Sequence, residues 1–261
     1  MADRSLIFIT DTEELKDKEL YENALELIDA GRRERVLKVR HEGSGRQMVA
    51  AGVLLQYAVR EYVKKGRQGA CDEAEQLALS DIIGELHAES GNANSSGSEC
   101  SEGSRVNTSE SVGREIAYKI HIFAEAHKPS GQPYLPDYPD IYISLSHSGA
   151  RAMCGISDAP IGVDIQEHSE RREVMDIAKR FFHEDEAAYL ESISDPEHRR
   201  TEFYRLWCLH EAYVKNTGNG LSEGFKDVTF LDVLKMGKVC DNKYKCIIGG
   251  LTGYSAAVVM G

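Results

Sequence analysis

No window of this chain approaches the roughly 20 uninterrupted apolar residues that a membrane helix needs. The opening run Leu6-Ile7-Phe8-Ile9 is also too short for the apolar region of a secretory signal. Together these absences lead us to expect a cytoplasmic protein with no membrane partner. Cysteine is sparse: Cys71, Cys100, Cys154, Cys208, Cys240 and Cys246 lie far apart with no C-x-x-C pair. That spacing supports neither a zinc site nor a thioredoxin-like motif and leaves reduced, structural thiols. An excess of positive charge is missing too, since 31 Lys and Arg face 43 Asp and Glu for a formal net charge of -12. General nucleic-acid affinity runs on basic surface, so no nucleic-acid partner is expected.

A hydrophobic content of 41% and a charged content of 28% describe a soluble, globular chain. Against its acidic background, residues 31–46 stand out, with six Arg and Lys against two Glu, a local charge of +4. Such a patch suggests an anionic ligand, although an ordinary solvated helix face has the same composition.

Hydrophobic periodicity predicts a strand over 6–10, a helix over 20–28 that stops near Gly31, and a helix over 47–64. In the last of these, Met48, Val49, Val53, Leu54, Tyr57 and Ala58 form a core stripe. Residues 87–113, with eight Ser and four Gly, read as a flexible surface insertion. An alternating strand over 115–122 and a turn-rich connector over 128–137 lead to a strand over 141–149, which forms a hairpin with 152–156. A buried strand then holds Asp164 at its end, and helices follow over 172–182, from 183, and from 194 to a stop at Gly218. Asp195 before Pro196 marks the start of the last one. Three short strands, 228–234, 244–248 and 254–260, close the chain. Strand, helices and strands recur in both halves, which predicts an α+β chain of two similar lobes, 1–159 and 160–261.

Within the 194–218 helix, Trp207, Glu211 and Lys215 are spaced i, i+4 and i+8 and so share one face. Asp164 lies on a different element. Two carboxylates from separate elements are how Mg2+ is usually held, with waters and substrate phosphates completing its shell, and a lysine beside them suits a phosphate. Taken singly, Asp164 suits a turn or cap, and Glu211 with Lys215 an exposed ion pair. His147, flanked by Ser146, Ser148 and Gly149, has donors for a phosphate or is a plain loop histidine.

Four stretches in order, Gly131-Gln132-Pro133, Ile143-Ser144-Leu145-Ser146-His147-Ser148, Ile161-Gly162-Val163-Asp164 and Trp207-Cys208-Leu209-His210-Glu211-Ala212-Tyr213-Val214-Lys215, resemble the successive motifs of the Sfp-type 4'-phosphopantetheinyl transferases. The resemblance runs from about residue 25 to 235, the insertion excepted. It implies a pseudo-twofold pair of α+β lobes with coenzyme A in the cleft between them. The activity implied is transfer of the phosphopantetheine arm to a serine of an apo acyl or peptidyl carrier protein, releasing 3',5'-ADP. Carried over by motif, Asp164 and Glu211 hold Mg2+, Lys215 contacts the pyrophosphate, and Ser146 and His147 contact the nucleotide's phosphates. Arg33, Lys38, Arg40 and Arg46 are candidates for the 3'-phosphate side, and Glu211 is the candidate general base.

Three positions depart from the family pattern. Gln166 stands where many members have Glu, which leaves a neutral third metal ligand and predicts weaker metal affinity. His210 stands where Lys is usual, which would make one cationic contact dependent on pH. Gln132 stands between Gly and Pro in place of a basic residue, so a phosphate contact becomes neutral. These losses keep open a catalytically weakened coenzyme A- or carrier-binding module; a phosphodiesterase that removes the arm is a third reading. Two lobes in one chain favour a monomer.

Overall fold

The computed structural model describes residues 4–64, 74–92, 122–170, 173–218, 225–240 and 244–261. Residues 115–121 of the predicted strand over 115–122 and most of the 87–113 insertion lie outside the described residues. The chain is α+β, and its elements run in the order β1 (Ser5–Asp11), α1 (Lys18–Glu26), α2 (Ala30–Leu37), α3 (Glu42–Lys64), β2 (Glu75–Leu77), α4 (Leu79–Asn92), β3 (Ala126–His127) and β4 (Pro133–Tyr134). There follow β5 (Tyr142–Ser148), β6 (Arg151–Ser157), β7 (Ile161–Glu167), α5 (Val174–Phe181), α6 (Glu184–Ser192), α7 (Pro196–Thr217), α8 (Leu231–Met236), β8 (Lys238–Cys240), β9 (Lys245–Leu251) and β10 (Tyr254–Met260).

Two four-stranded sheets carry the fold, in the orders β2-β1-β6-β5 and β7-β10-β9-β8. Only the β1–β2 pair is parallel; the other pairs in these sheets are antiparallel. Alternation along β1 sends Leu6 and Phe8 toward α1, α3 and α4, while Ile7 and Ile9 join Met153, Val163, Ile165 and Val258 in a core shared by both sheets. Against the second sheet, Phe203, Leu206 and Leu209 of α7 pack with Ala257 and Val259 of β10.

The edge strands β5 and β7 are stitched by side chains. Ser144, Ser146 and Ser148 occupy every second position of β5, and their hydroxyl oxygens accept the N–H groups of Val163, Ile165 and Glu167 at 3.0, 3.3 and 3.0 Å. Backbone groups that an edge would leave without partners are thereby satisfied.

Several sequence expectations need correction. The first helix ends before Gly31, which lies inside α2 after Asp29 has capped that helix through the N–H groups of Gly31 and Arg32. The long helix starts at Glu42 rather than 47. Residues 87–92 extend α4 and are no part of a loop. The segment 228–234 is not a strand: its second half begins α8, which closes at Gly237 with φ 75°. Asp164 lies in the middle of β7 and not at its end. The α7 limits hold as read, with Asp195 accepting the His198 N–H and Gly218 left-handed at φ 72°.

Candidate active site

β7 and α7 lie unusually close because Gly162 has no side chain. A Cβ there would overlap the Ala212 carbonyl oxygen and stand 2.6 Å from the Asn216 N. Since side chains alternate along β7, Gly162 and Asp164 share the face turned to α7, while Ile161, Val163 and Ile165 enter the core between the sheets. On α7 Glu211 immediately precedes Ala212 and Lys215 follows it by about one turn, and this close approach brings the Lys215 ammonium onto Asp164.

Asp164 is buried, with a side chain 7% exposed. Its Oδ1 accepts from the Lys215 Nζ at 2.7 Å and from the Ser146 Oγ at 2.7 Å, and the Lys215 ammonium also donates to the Val163 carbonyl at 3.1 Å. Oδ2 is buried and has no hydrogen-bond partner. A buried carboxylate oxygen without a donor is costly unless a cation or donor completes it. Burial, and then the Asp164 charge, push the Glu211 carboxyl up to about 7, against a smaller opposing pull from Lys215. The two carboxylates line the same cavity, and the one ammonium beside them, Lys215, is bonded to Asp164.

A cavity of about 510 Å³ joins Ser146, His147, Asp164, Gln166, Trp207, Glu211 and Lys215 with Arg32, Glu125 and His127. His147 keeps an exposed edge, and crowding of its ring together with the Lys215 and Arg32 charges holds its pKa below the usual 6.5. Ser146 is not a free donor, because its only proton goes to Asp164. Gln132 lies just outside: its Nε2 donates to the Lys215 carbonyl at 3.1 Å and its Oε1 accepts from the Lys128 Nζ at 2.9 Å. A larger cavity of about 650 Å³ over the β9–β10 hairpin, beside His168, Arg200 and Arg205, contains none of the motif residues.

The basic candidates are placed elsewhere. Lys38 pairs with Glu34 at 2.7 Å, Arg46 reaches Glu13 at 3.4 Å, Arg40 is exposed, and Arg33 is half-buried without lining this cavity. Arg32 lines it instead. Helical spacing carried the signal, since Arg32 sits four residues before Val36, a buried position of the same helix. Glu125 had no such signal in its sequence neighbourhood.

His210 also needs correction, because it faces no solvent and no cavity. It is fully buried between the rings of Phe182 and Phe225, with Nε2 2.6 Å from the Glu186 Oε2, and Glu186 also accepts the Phe230 N–H at 2.7 Å. Cys208 is no nucleophile either: burial, then the Asp164 charge, raise its thiol pKa well above the ordinary range.

Whether a divalent cation suits these residues follows from the donor set. Among the described residues, no three His, Cys, Asp or Glu side chains converge as a closed metal cage. Asp164 Oδ2 without a partner, a Glu211 carboxyl strained by its neighbour and the Gln166 amide form an open set of oxygen donors. That suits Mg2+, which binds through one or two carboxylates and keeps several waters.

Residues 160–243 match the model of the 4'-phosphopantetheinyl transferase superfamily. Over 92 residues the chain is 39% identical to a 4'-phosphopantetheinyl transferase of Bacillus subtilis, covering 35% of this chain and 40% of that protein. The 4'-phosphopantetheinyl transferase gsp of Aneurinibacillus migulanus is 37% identical over 91 residues, 35% of this chain and 36% of that one. An L-aminoadipate-semialdehyde dehydrogenase-phosphopantetheinyl transferase of Xenopus laevis is 30% identical over 111 residues, 38% and 37% of the two chains. The chain thus spans about two fifths of the length of the curated relatives it matches.

Proposed function

We infer from the match of residues 160–243 to the 4'-phosphopantetheinyl transferase superfamily that this chain moves the phosphopantetheine arm of coenzyme A to a serine of an apo acyl or peptidyl carrier protein. The observation that carries the reading is the meeting of Asp164, Glu211 and Lys215 in one cavity, with one buried carboxylate oxygen left without a partner.

In this reading the carrier's serine oxygen bonds to the phosphorus next to the arm, the phosphoanhydride bond to the nucleotide breaks, and 3',5'-ADP leaves. Lys215 gives two of its three N–H groups to Asp164 and the Val163 carbonyl and offers the third to the pyrophosphate. Glu211, with a pKa of about 7, is matched to accept the serine's proton near neutral pH. Asp164, Glu211 and Gln166 would hold Mg2+, which when bound neutralises charge on the phosphate oxygens. His147 donates to phosphate, and Trp207 walls the site. A smaller slot of about 270 Å³, which shares Pro133, Leu145 and Lys215 with the main cavity and adds Ile143 and Val214, gives the arm an apolar path.

The same reading takes 1–159 and 160–261 as two pseudo-twofold lobes and the cavity as the cleft between them. Each lobe would centre on one of the two four-stranded sheets. It takes the protein as a cytoplasmic monomer. Cys154, Cys208, Cys240 and Cys246 are free, which suits a reducing compartment, and no described helix is long and apolar enough to cross a membrane.

Intact-mass spectrometry of an apo carrier protein incubated with this chain, coenzyme A and Mg2+ tests the function. The expected result is a gain of the phosphopantetheine mass that is lost on chelation and in Asp164→Ala. No gain with fatty-acid, polyketide and peptide carriers, alongside measurable coenzyme A binding, would replace the enzyme with a binding module.

A further inference from the structure

The wall of the cavity supplied by α2 carries an arrangement that the motifs do not foretell. Glu125, its side chain 1% exposed, accepts from the Arg32 Nε at 2.8 Å and from Nη2 at 2.8 and 2.7 Å on its two oxygens. The Arg32 Nη1 donates to the Met48 carbonyl at 3.3 Å. Those four bonds leave one of the five N–H groups of a guanidinium. The Arg35 Nη2 reaches the same carboxylate at 3.4 Å, and the His127 Nε2 at 3.2 Å. The backbone of α3 is adapted to the pair, for a Cβ on Gly52 would stand 2.5 Å from the Arg32 Cδ.

We propose that Glu125 is an internal counter-anion that sets ligand specificity: it holds the place of a phosphate monoester, so this chain binds 3'-dephospho-coenzyme A about as tightly as coenzyme A. The inference rests on the cavity being a coenzyme A site and names the form of nucleotide that site takes. Besides its pyrophosphate, coenzyme A carries one phosphate monoester, on the ribose. Arg32 and Lys215 are the permanent cations among the described residues lining the cavity. With Lys215 at the pyrophosphate, the monoester is left with Arg32.

Arginine holds a phosphate through two parallel N–H bonds, and Glu125 already occupies the Nε and Nη2 edge that would supply them. The charge balance agrees. Arg32 and Arg35 against Glu125 leave a single net positive charge, resting on Arg35, which is 43% exposed and solvent-screened. A monoester with close to two negative charges would meet a buried carboxylate where dielectric screening is weak. Removing the carboxylate's charge while keeping its shape frees the guanidinium for phosphate.

Isothermal titration of the full chain, in Mg2+, with coenzyme A and with 3'-dephospho-coenzyme A provides the test, and transfer to an apo carrier is measured alongside. The two dissociation constants are expected to agree within about fivefold, and Glu125→Gln is expected to shift their ratio about tenfold or more toward coenzyme A, the size of one charge-assisted hydrogen bond. A larger preference for coenzyme A in the unaltered chain overturns the inference, and needs no variant to fold. An unchanged ratio in a Glu125→Gln protein with the original thermal midpoint overturns it as well. Transfer activity with either of those results would leave the proposed function standing, whereas binding of neither ligand removes both.

Discussion

Gly162 of β7 lies against Ala212 of α7 with no room for even a methyl group between strand and helix. This backbone approach sets Glu211 and Lys215 over Asp164, so the site depends on a position with no side chain of its own. Gly162→Ala should force α7 off the strand, destabilise the fold by about 3 kcal/mol or more, and reduce activity beyond the loss of folded protein. Chemical denaturation combined with activity per folded molecule measures both; an unchanged denaturation midpoint would contradict the close approach.

His210→Lys restores the residue usual in the resembling family, yet it is expected to damage the protein. The ring of His210 is enclosed by Phe182, Phe225 and Phe230 and bonded to Glu186. A longer ammonium side chain there has no exit to the cavity. A destabilisation of about 2–4 kcal/mol is expected, by overpacking and an ill-placed buried charge, with no gain in activity. Thermal unfolding of the variant checks it.

Gln166 lines the cavity beside Asp164 and Glu211 and brings an amide where a third carboxylate would fit. Gln166→Glu should tighten Mg2+ binding by about tenfold, because ligand charge tunes the affinity of oxygen sites for hard cations. Mg2+ titration followed by calorimetry reads the change directly. An unaltered affinity would place position 166 outside the metal's reach.

His147 supplies a pH dependence. Its folded pKa lies below the 6.5 of the free side chain, through burial first and then the charges of Lys215 and Arg32. As pH falls through 6.5, the unfolded chain takes up this proton before the folded one does, so stability drops; above 6.5 the penalty vanishes. Thermal midpoints of the metal-free protein between pH 5 and 7.5, compared with those of His147→Gln, isolate this contribution. The variant should show the shallower loss on the acid side.

Much of the candidate site was legible in the sequence because its parts are short-range patterns. The i, i+4, i+8 spacing of Trp207, Glu211 and Lys215 needs only a helix to put them on one face, and the structure places all three on one cavity wall. Asp195 before Pro196 and Gly218 delimit that helix through local capping and a left-handed turn. The 228–234 segment misled because a short apolar run carries no helix or strand period, and the αL stop at Gly237 decides it.

By itself, the sequence determined the α+β class, the β5–β6 hairpin, the α7 boundaries and the face that bears Glu211 and Lys215. All of these follow from side-chain periodicity and backbone preference within a few residues. Tertiary structure alone decided which charges are available. Arg32, not Arg33, reaches the cavity, and Glu125, 93 residues away, neutralises it. His210 joins Glu186 inside the core, and Ser146 gives its proton to Asp164. Charge availability depends on what the fold brings within about 3 Å and away from water, and no local pattern encodes contacts between residues so distant in the chain.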